Sequence, residues 1–153
     1  IGSANPIAVL GWSNALTYKN WNLNLAFRGG IGGKVLNSNR LYYESWTAIG
    51  LRNIVHTQLE NPEFIRNVTY SSKYIEDASF LQLDNVTLQY GFDLNSKYIS
   101  RLSVSGSAQN VCWISGYKGI DPEVNLGGLE PGIDRLSYYP RTTALTLGVN
   151  ATF

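Results

Sequence analysis

The feature that most constrains the fold is a period-two alternation of apolar and polar residues that recurs in long segments. The end of the chain shows it most clearly. Its two alternating sets are Leu145, Leu147, Val149, Ala151 and Phe153, and Thr146, Gly148, Asn150 and Thr152. Successive side chains of a β-strand point to opposite faces of a sheet. The pattern therefore predicts a strand with one apolar and one polar face.

The same alternation predicts five strands, at about residues 7–18, 21–31, 78–92, 99–112 and 142–153. The first two form a hairpin around the turn Lys19-Asn20. A two-residue turn pairs Tyr18 with Trp21 and brings the large apolar residues of the hairpin onto one face. The third strand changes parity at Asp84-Asn85, where we expect a β-bulge.

Strand length and loop length together predict a transmembrane barrel. Each predicted strand reaches the ~9–11 residues that cross a bilayer at a tilt. Short turns alternate with long loops at about 32–77 and 115–141, as periplasmic turns and extracellular loops do in outer-membrane barrels. The predicted fold class is all-β, an antiparallel transmembrane β-barrel.

Five strands cannot close a membrane barrel, because the smallest have about eight and open sheet edges are not tolerated in lipid. We therefore expect the remaining barrel strands to precede residue 1. The alternative is a soluble β-sandwich that acts as a carbohydrate-binding module, since sandwich strands also alternate. Charged residues make up only 15% of the chain, against about 25% in soluble proteins, which favours the barrel.

The composition excludes several other functions. Twelve Lys and Arg residues oppose eleven Asp and Glu residues, so a nucleic-acid partner is not expected. Cys112 is the only cysteine and His56 the only histidine, which leaves no disulfide framework, no cysteine-based zinc site and no catalytic dyad. We expect no enzyme activity, no cofactor and no metal. Asp121 begins a segment like the start of a calcium loop, but the EF-hand pattern fails further on. The sequence favours a solvated turn and leaves an unspecific cation near Asp121 open.

Two groups of aromatic residues are candidates for contacts. Tyr42, Tyr43 and Trp46 lie in the first long loop and could contact a ligand or a partner protein. Packing of that loop on itself explains them equally well. A helix is predicted around them, with Ser38 as its N-terminal cap and Leu41, Ser45, Ala48 and Arg52 at helical spacing. Tyr18 and Trp21 flank the first short turn and fit the interfacial aromatic girdle of a membrane barrel.

Three further stretches are distinctive: "SSKYIEDASFLQLDNVTLQYGF", "YKGIDPEV" and "YYPRTTALTLGVNATF". Together they resemble the C-terminal signature of the SusC/RagA family of TonB-dependent outer-membrane transporters. The resemblance implies the last five strands of a barrel of roughly 22 strands whose lumen is plugged, with the plug domain absent from this chain. It also implies that Phe153 serves as the signal read by the outer-membrane assembly machinery.

The family resemblance further implies a location in the outer membrane of a Gram-negative bacterium, in contact with its lipid. It implies import of a large nutrient, either a glycan or an oligopeptide. The expected partners are a SusD-like surface lipoprotein and TonB, which would act through the missing N-terminal part. The substrate and the oligomeric state cannot be deduced from these residues.

Overall fold

A computed structural model describes residues 2–45, 49–56, 69–94, 98–123, 131–136 and 138–153. Its elements, in chain order, are β1 (Ala8–Tyr18), β2 (Trp21–Ile31), β3 (Lys34–Asn37), α1 (Ser38–Tyr43), a 3₁₀ turn (Ser72–Tyr74), β4 (Ile75–Asp77), β5 (Phe80–Asp93), β6 (Arg101–Ser115), β7 (Ile133–Asp134) and β8 (Ala144–Thr152). They divide between two compact units. Among the described residues, no helix has both the length and the apolar character needed to cross a membrane.

The strand unit comprises residues 9–29, 80–114 and 141–153. Its sheet has the strand order β1-β2-β5-β6-β8. Strands β6 and β8 are antiparallel, with Gly106 opposite Leu147 and Val104 opposite Val149. The predicted fold class, an antiparallel all-β segment of a larger barrel, is confirmed.

Many large apolar side chains of this sheet are exposed, most clearly on β8. Leu145, Leu147 and Val149 are 81%, 89% and 72% exposed. A β-sandwich instead buries one face of each sheet in a shared core. The apolar face of this sheet is therefore available to a surrounding medium, as the lipid-facing surface of a barrel must be.

The central strands carry two irregularities, a change of side-chain parity on β5 and a left-handed residue on β6. On β5 the exposed apolar side chains shift from Leu81 to Leu88, while Gln82 is buried, which agrees with the predicted change of parity. On β6 Asn110 has φ 52°, a left-handed conformation that asparagine tolerates and that bulges use. The Gln82 amide nitrogen lies 3.3 Å from Oδ1 of Asn110 and donates to it. The irregularity at Asn110 was not predicted.

The loop unit comprises residues 1–8, 30–79 and 115–140. It has a small sheet of its own in the order β4-β3-β7. Strand β3 pairs with β4 antiparallel and with β7 in parallel. Val35, Ala78 and Tyr117 form its buried apolar cluster, against which Tyr138 packs. The described parts of the long connections therefore fold into a structure with its own core.

Helix α1 is shorter than the pattern predicted and begins differently. Its N-terminal cap is Asn37, whose side chain accepts a hydrogen bond from the backbone N–H of Arg40. Ser38, the predicted cap, is instead the first helical residue. Asparagine and serine both cap helices well. The sequence alone therefore does not show whether Asn37 or Ser38 is the cap.

Candidate functional site

The candidate contact site lies on helix α1, which is anchored by Arg40. A six-residue helix is marginal by itself. The Arg40 Nε donates a 2.6 Å hydrogen bond to Oε1 of Glu44, and its Nη1 donates to Oε1 of Glu76. Glu44 is fully buried, and Nζ of Lys73 lies 3.6 Å from its Oε2. These charge-assisted contacts tie the helix to β4.

Glu44 and Glu76 stabilise the protonated form of the Arg40 side chain. Burial alone would lower the pKa of the Arg40 guanidinium, but hydrogen bonds from it to Glu76 and Glu44 outweigh burial and raise that pKa. Removing one partner from a buried ion pair leaves an uncompensated charge and is strongly destabilising. The network therefore holds α1 in a single position on its unit.

Tyr42 and Tyr43 are brought together at the end of α1. Their ring centroids are 5.2 Å apart and the ring planes nearly perpendicular. The guanidinium carbon of Arg52 lies 3.8 Å from the centroid of Tyr42 and 5.7 Å from that of Tyr43. Tyr42 is 47% exposed. We call these three side chains the Tyr42 patch; Trp46, the third predicted contact, lies outside the described residues.

The Tyr42 patch is a surface that combines two aromatic rings with one positive charge. A guanidinium over an aromatic face is favourable by about 0.5–1 kcal/mol at exposed sites, so Arg52 restrains the ring that a ligand or partner would meet. Arg52 was predicted only as a helical position. Its stacking on Tyr42 could not be deduced, because no local sequence pattern shows which cation meets a given ring.

A second polar pair lies in the same unit. The Tyr117 hydroxyl donates a 2.6 Å hydrogen bond to Oδ2 of Asp134. Burial raises the pKa of Asp134, and the hydrogen bond from Tyr117 opposes that shift. Burial and the neighbouring carboxylate also raise the pKa of Tyr117 well above its usual range. The pair links β7 to the segment after β6.

Asp121 does not lie in the solvated turn that was expected, because its side chain is only 3% exposed. Its Oδ1 accepts a 2.9 Å hydrogen bond from the backbone N–H of Glu123. The carboxylate thus closes a turn, as aspartates commonly do. Across the described ranges, no group of three potential metal ligands comes together.

Aromatic side chains cluster beside the turn Lys19-Asn20. The rings of Trp21 and Tyr90 are 4.6 Å apart, as are those of Tyr90 and Phe92. Tyr18 and Trp21, the predicted interfacial pair, are 69% and 46% exposed. Tyr90 and Phe92 were not predicted to join this cluster, although their parity and their position at the end of the third predicted strand could have identified them. The interfacial role of Tyr18 and Trp21 stays a prediction.

The turn beside these aromatics is fastened to β5. The backbone N–H of Gly91 donates to the carbonyl of Asn20 at 2.9 Å, and the Asn20 side chain donates to the carbonyl of Gly91 at 2.8 Å. Phe153 follows β8 and is 89% exposed. Its proposed role in assembly stays a prediction.

Comparisons with known proteins place these features in context. No family model matches the chain. TonB-dependent receptor P3 of Formosa agariphila is 31% identical over 175 aligned positions, which cover 100% of this chain and 17% of that protein. TonB-dependent receptor SusC of Bacteroides thetaiotaomicron is 29% identical over 163 positions, which cover 95% of this chain and 15% of SusC. The chain thus spans less than a fifth of these relatives.

Solved structures share the fold. The RagAB peptide importer in its open-open state superposes with a TM-score of 0.80 at 23% identity, over 99% of this chain and 18% of that one. The RagAB peptide transporter superposes with a TM-score of 0.77, also at 23% identity, over the same shares. At this identity the likeness describes the fold alone.

The antiparallel sheet and its exposed apolar face define a segment of an outer-membrane β-barrel. The sequence relatives make the family specific: the chain belongs to the TonB-dependent receptors of the SusC/RagA family. Receptors of this family are outer-membrane proteins of Gram-negative bacteria, and that is the location of this chain.

Proposed function

We propose that this chain forms part of the barrel wall of a TonB-dependent transporter that imports a large nutrient. The nutrient would be a glycan or an oligopeptide, and import would be powered by TonB through parts of the receptor outside this chain. One observation carries the proposal: a sheet of long antiparallel strands exposes its apolar face in a chain related to TonB-dependent receptors. This segment would contribute no catalysis.

The other face of the same sheet suits a wet lumen. Arg28 and Asp84 approach to 3.4 Å while each side chain stays more than a third exposed. Thr17 donates a 2.9 Å hydrogen bond to Oδ1 of Asn22. Polar and charged groups facing inward are typical of barrels that enclose water or a plug.

The Tyr42 patch is the proposed contact for a SusD-like surface lipoprotein. Tyrosine and arginine are enriched among residues that dominate protein interfaces. Here Arg40 and its two glutamates fix the helix that presents the patch. Because the helix is already ordered, less conformational entropy is lost when the lipoprotein binds.

Transport is tested in cells that carry the full-length receptor. Uptake of labelled oligosaccharide and oligopeptide pools should disappear when the receptor gene or TonB is deleted. Uptake that persists without TonB would contradict the proposal. A soluble carbohydrate-binding module would instead be recovered as a monomer without detergent.

The contact is tested separately with the assembled receptor. Changing Tyr42 or Arg52 to Ala should weaken capture of the lipoprotein about thirtyfold, the effect of the ~2 kcal/mol that defines a hot-spot residue. Tyr70→Ala is the control, since Tyr70 lies in the same unit, is 80% exposed and is outside the patch. Equal effects at Tyr42 and Tyr70 would contradict a specific contact.

A further inference from the structure

The strand unit has an apolar groove beside its aromatic cluster. The groove has a volume of about 550 Å³ and is lined by Trp21, Leu88, Tyr90, Phe92, Val104 and Gly106. Its lining comes from the apolar face of β2, β5 and β6, and it includes no charged residue. A groove of this kind accepts a flexible apolar ligand rather than a polar one.

Gly106 creates the space at one side of the groove. A Cβ atom at this position would meet only Cδ2 of Leu147, at 3.6 Å, an ordinary van der Waals distance. Its φ is not positive, so the backbone does not require glycine there. The absence of a side chain at Gly106 therefore enlarges the groove, and the backbone conformation does not depend on it.

The location of the groove in the membrane favours a lipid as its ligand. The chain lies in the outer membrane, and the groove opens on the face that carries the exposed leucines. Lipid chains are therefore the medium around it. The aromatic rings of Trp21, Tyr90 and Phe92 lie at the short-turn end, where barrel aromatics meet the lipid headgroups.

A cation lies at the same end. Lys19 occupies the turn two residues before Trp21, and its Nζ is 5.4 Å from the ring of Tyr18. Arg101, at the start of β6, instead has Oδ1 of Asp93 within 3.8 Å. Lys19 is thus positioned to attract a phosphate at the membrane surface.

We propose that this groove is a binding site for one phospholipid of the periplasmic leaflet. One acyl chain would lie along Val104 and Gly106, and the phosphate would lie near Lys19. The rings of Trp21 and Tyr90 would pack on the part of the chain nearest the headgroup. The site rests on the barrel assignment and is independent of which nutrient the receptor imports.

The test counts lipids on the full-length receptor. The receptor is purified in mild detergent, mixed with palmitoyl-oleoyl phosphatidylglycerol and examined by native mass spectrometry. Gly106→Leu should retain one phospholipid fewer than the wild type, because the new side chain fills the groove. Val104→Phe should give the same loss. Lys19→Gln should weaken retention about fivefold, the effect of one basic residue near an anionic surface.

Ala108→Leu is the matched control. It enlarges a residue of the same strand and parity, outside the groove lining. It should retain the wild-type number of lipids, and heat-modifiable migration verifies that every variant is folded. Unchanged lipid retention in both groove variants would overturn the proposal. A change of oligomeric state without loss of lipid would also overturn it, because the groove would then be a protein contact.

Discussion

Tyr117 donates its phenolic hydrogen to Oδ2 of Asp134 at 2.6 Å, between two side chains that are 5% and 0% exposed. The same tyrosine ring belongs to the apolar cluster with Val35 and Ala78. One side chain thus joins the core of the loop unit to a fully buried carboxylate. Because an unpaired buried carboxylate is costly, this bond should govern how firmly the unit holds together.

Replacing Tyr117 by Phe should destabilise the loop unit by about 1.5–3 kcal/mol, the usual value of a hydrogen bond to a charged group. The ring would remain in its cluster while Asp134 lost the hydrogen bond from Tyr117. Hydrogen exchange of residues 115–123 in the assembled receptor measures the change. Tyr139→Phe is the control, because Tyr139 is 79% exposed. Equal exchange in the two variants would show that the bond contributes nothing.

The same pair predicts a loss of stability at alkaline pH. The pKa of Tyr117 is raised in the folded unit above its ordinary value of 10.0, so the folded state keeps a proton that the unfolded state releases. The unfolding free energy should therefore fall as pH rises above about 10. Subtilisin digestion at increasing pH should cut the loop unit of the wild type progressively faster. Tyr117→Phe should lack this component of the pH dependence; an identical profile would contradict the assignment.

Asp134 should make the stability of the loop unit depend on pH in the acidic range. Its pKa is raised by burial above the ordinary 3.8, so protonation favours the folded state between these two values. The unfolding free energy should increase as pH falls from the raised pKa toward 3.8. Asp134→Asn should remove this dependence, which urea titrations of the loop unit at several acidic pH values can measure. A dependence that persists in the variant would mean that another carboxylate causes it.

The two faces of β8 should respond differently to a charge. Leu147 is 89% exposed on the apolar face, so Leu147→Arg should destabilise the barrel by about 2–4 kcal/mol if it lies near the bilayer midplane. Thr146 points to the opposite face, where water can solvate a guanidinium, and Thr146→Arg should have little effect. Urea unfolding in lipid vesicles compares the two. Equal losses would contradict a strand with one lipid face.

The strands could be predicted from sequence because their signal is local. Alternation around Leu147 and the turn at Lys19-Asn20 fix faces and register within a few residues. The loop unit carries no such signal, because β3 pairs with strands far along the chain: Val35 with Glu76, and Leu36 with Ile133. Strands of two to four residues are too short to show a period.

In the candidate site, too, local features could be predicted from the sequence and long-range contacts could not. Tyr42 and Tyr43 could be proposed as contact residues because adjacent aromatics in a long loop are visible in the sequence. The contacts that position them were not, since Arg40 and Glu76 are 36 residues apart. A buried ion pair needs a partner brought close by tertiary structure, and no local pattern predicts which of several charged residues that partner is.

Arg40 provides the sharpest test of how the Tyr42 patch is held. Arg40→Met removes the cation between Glu44 and Glu76 and should destabilise the loop unit by about 3–5 kcal/mol, because buried carboxylates would lose their partner. Hydrogen exchange of residues 34–45 should rise, and lipoprotein capture should weaken although the patch itself is unchanged.

Lys34→Met is the matched control for Arg40→Met. Lys34 and Asp77 form an ion pair at 3.1 Å in the same unit, but their side chains are 42% and 52% exposed. Solvent screening limits such a pair to about 0–1 kcal/mol, so exchange and capture should stay close to wild type. If Arg40→Met behaved like Lys34→Met, burial would not be what gives the Arg40 network its strength, and the helix that presents Tyr42 would have to be fixed by its backbone alone.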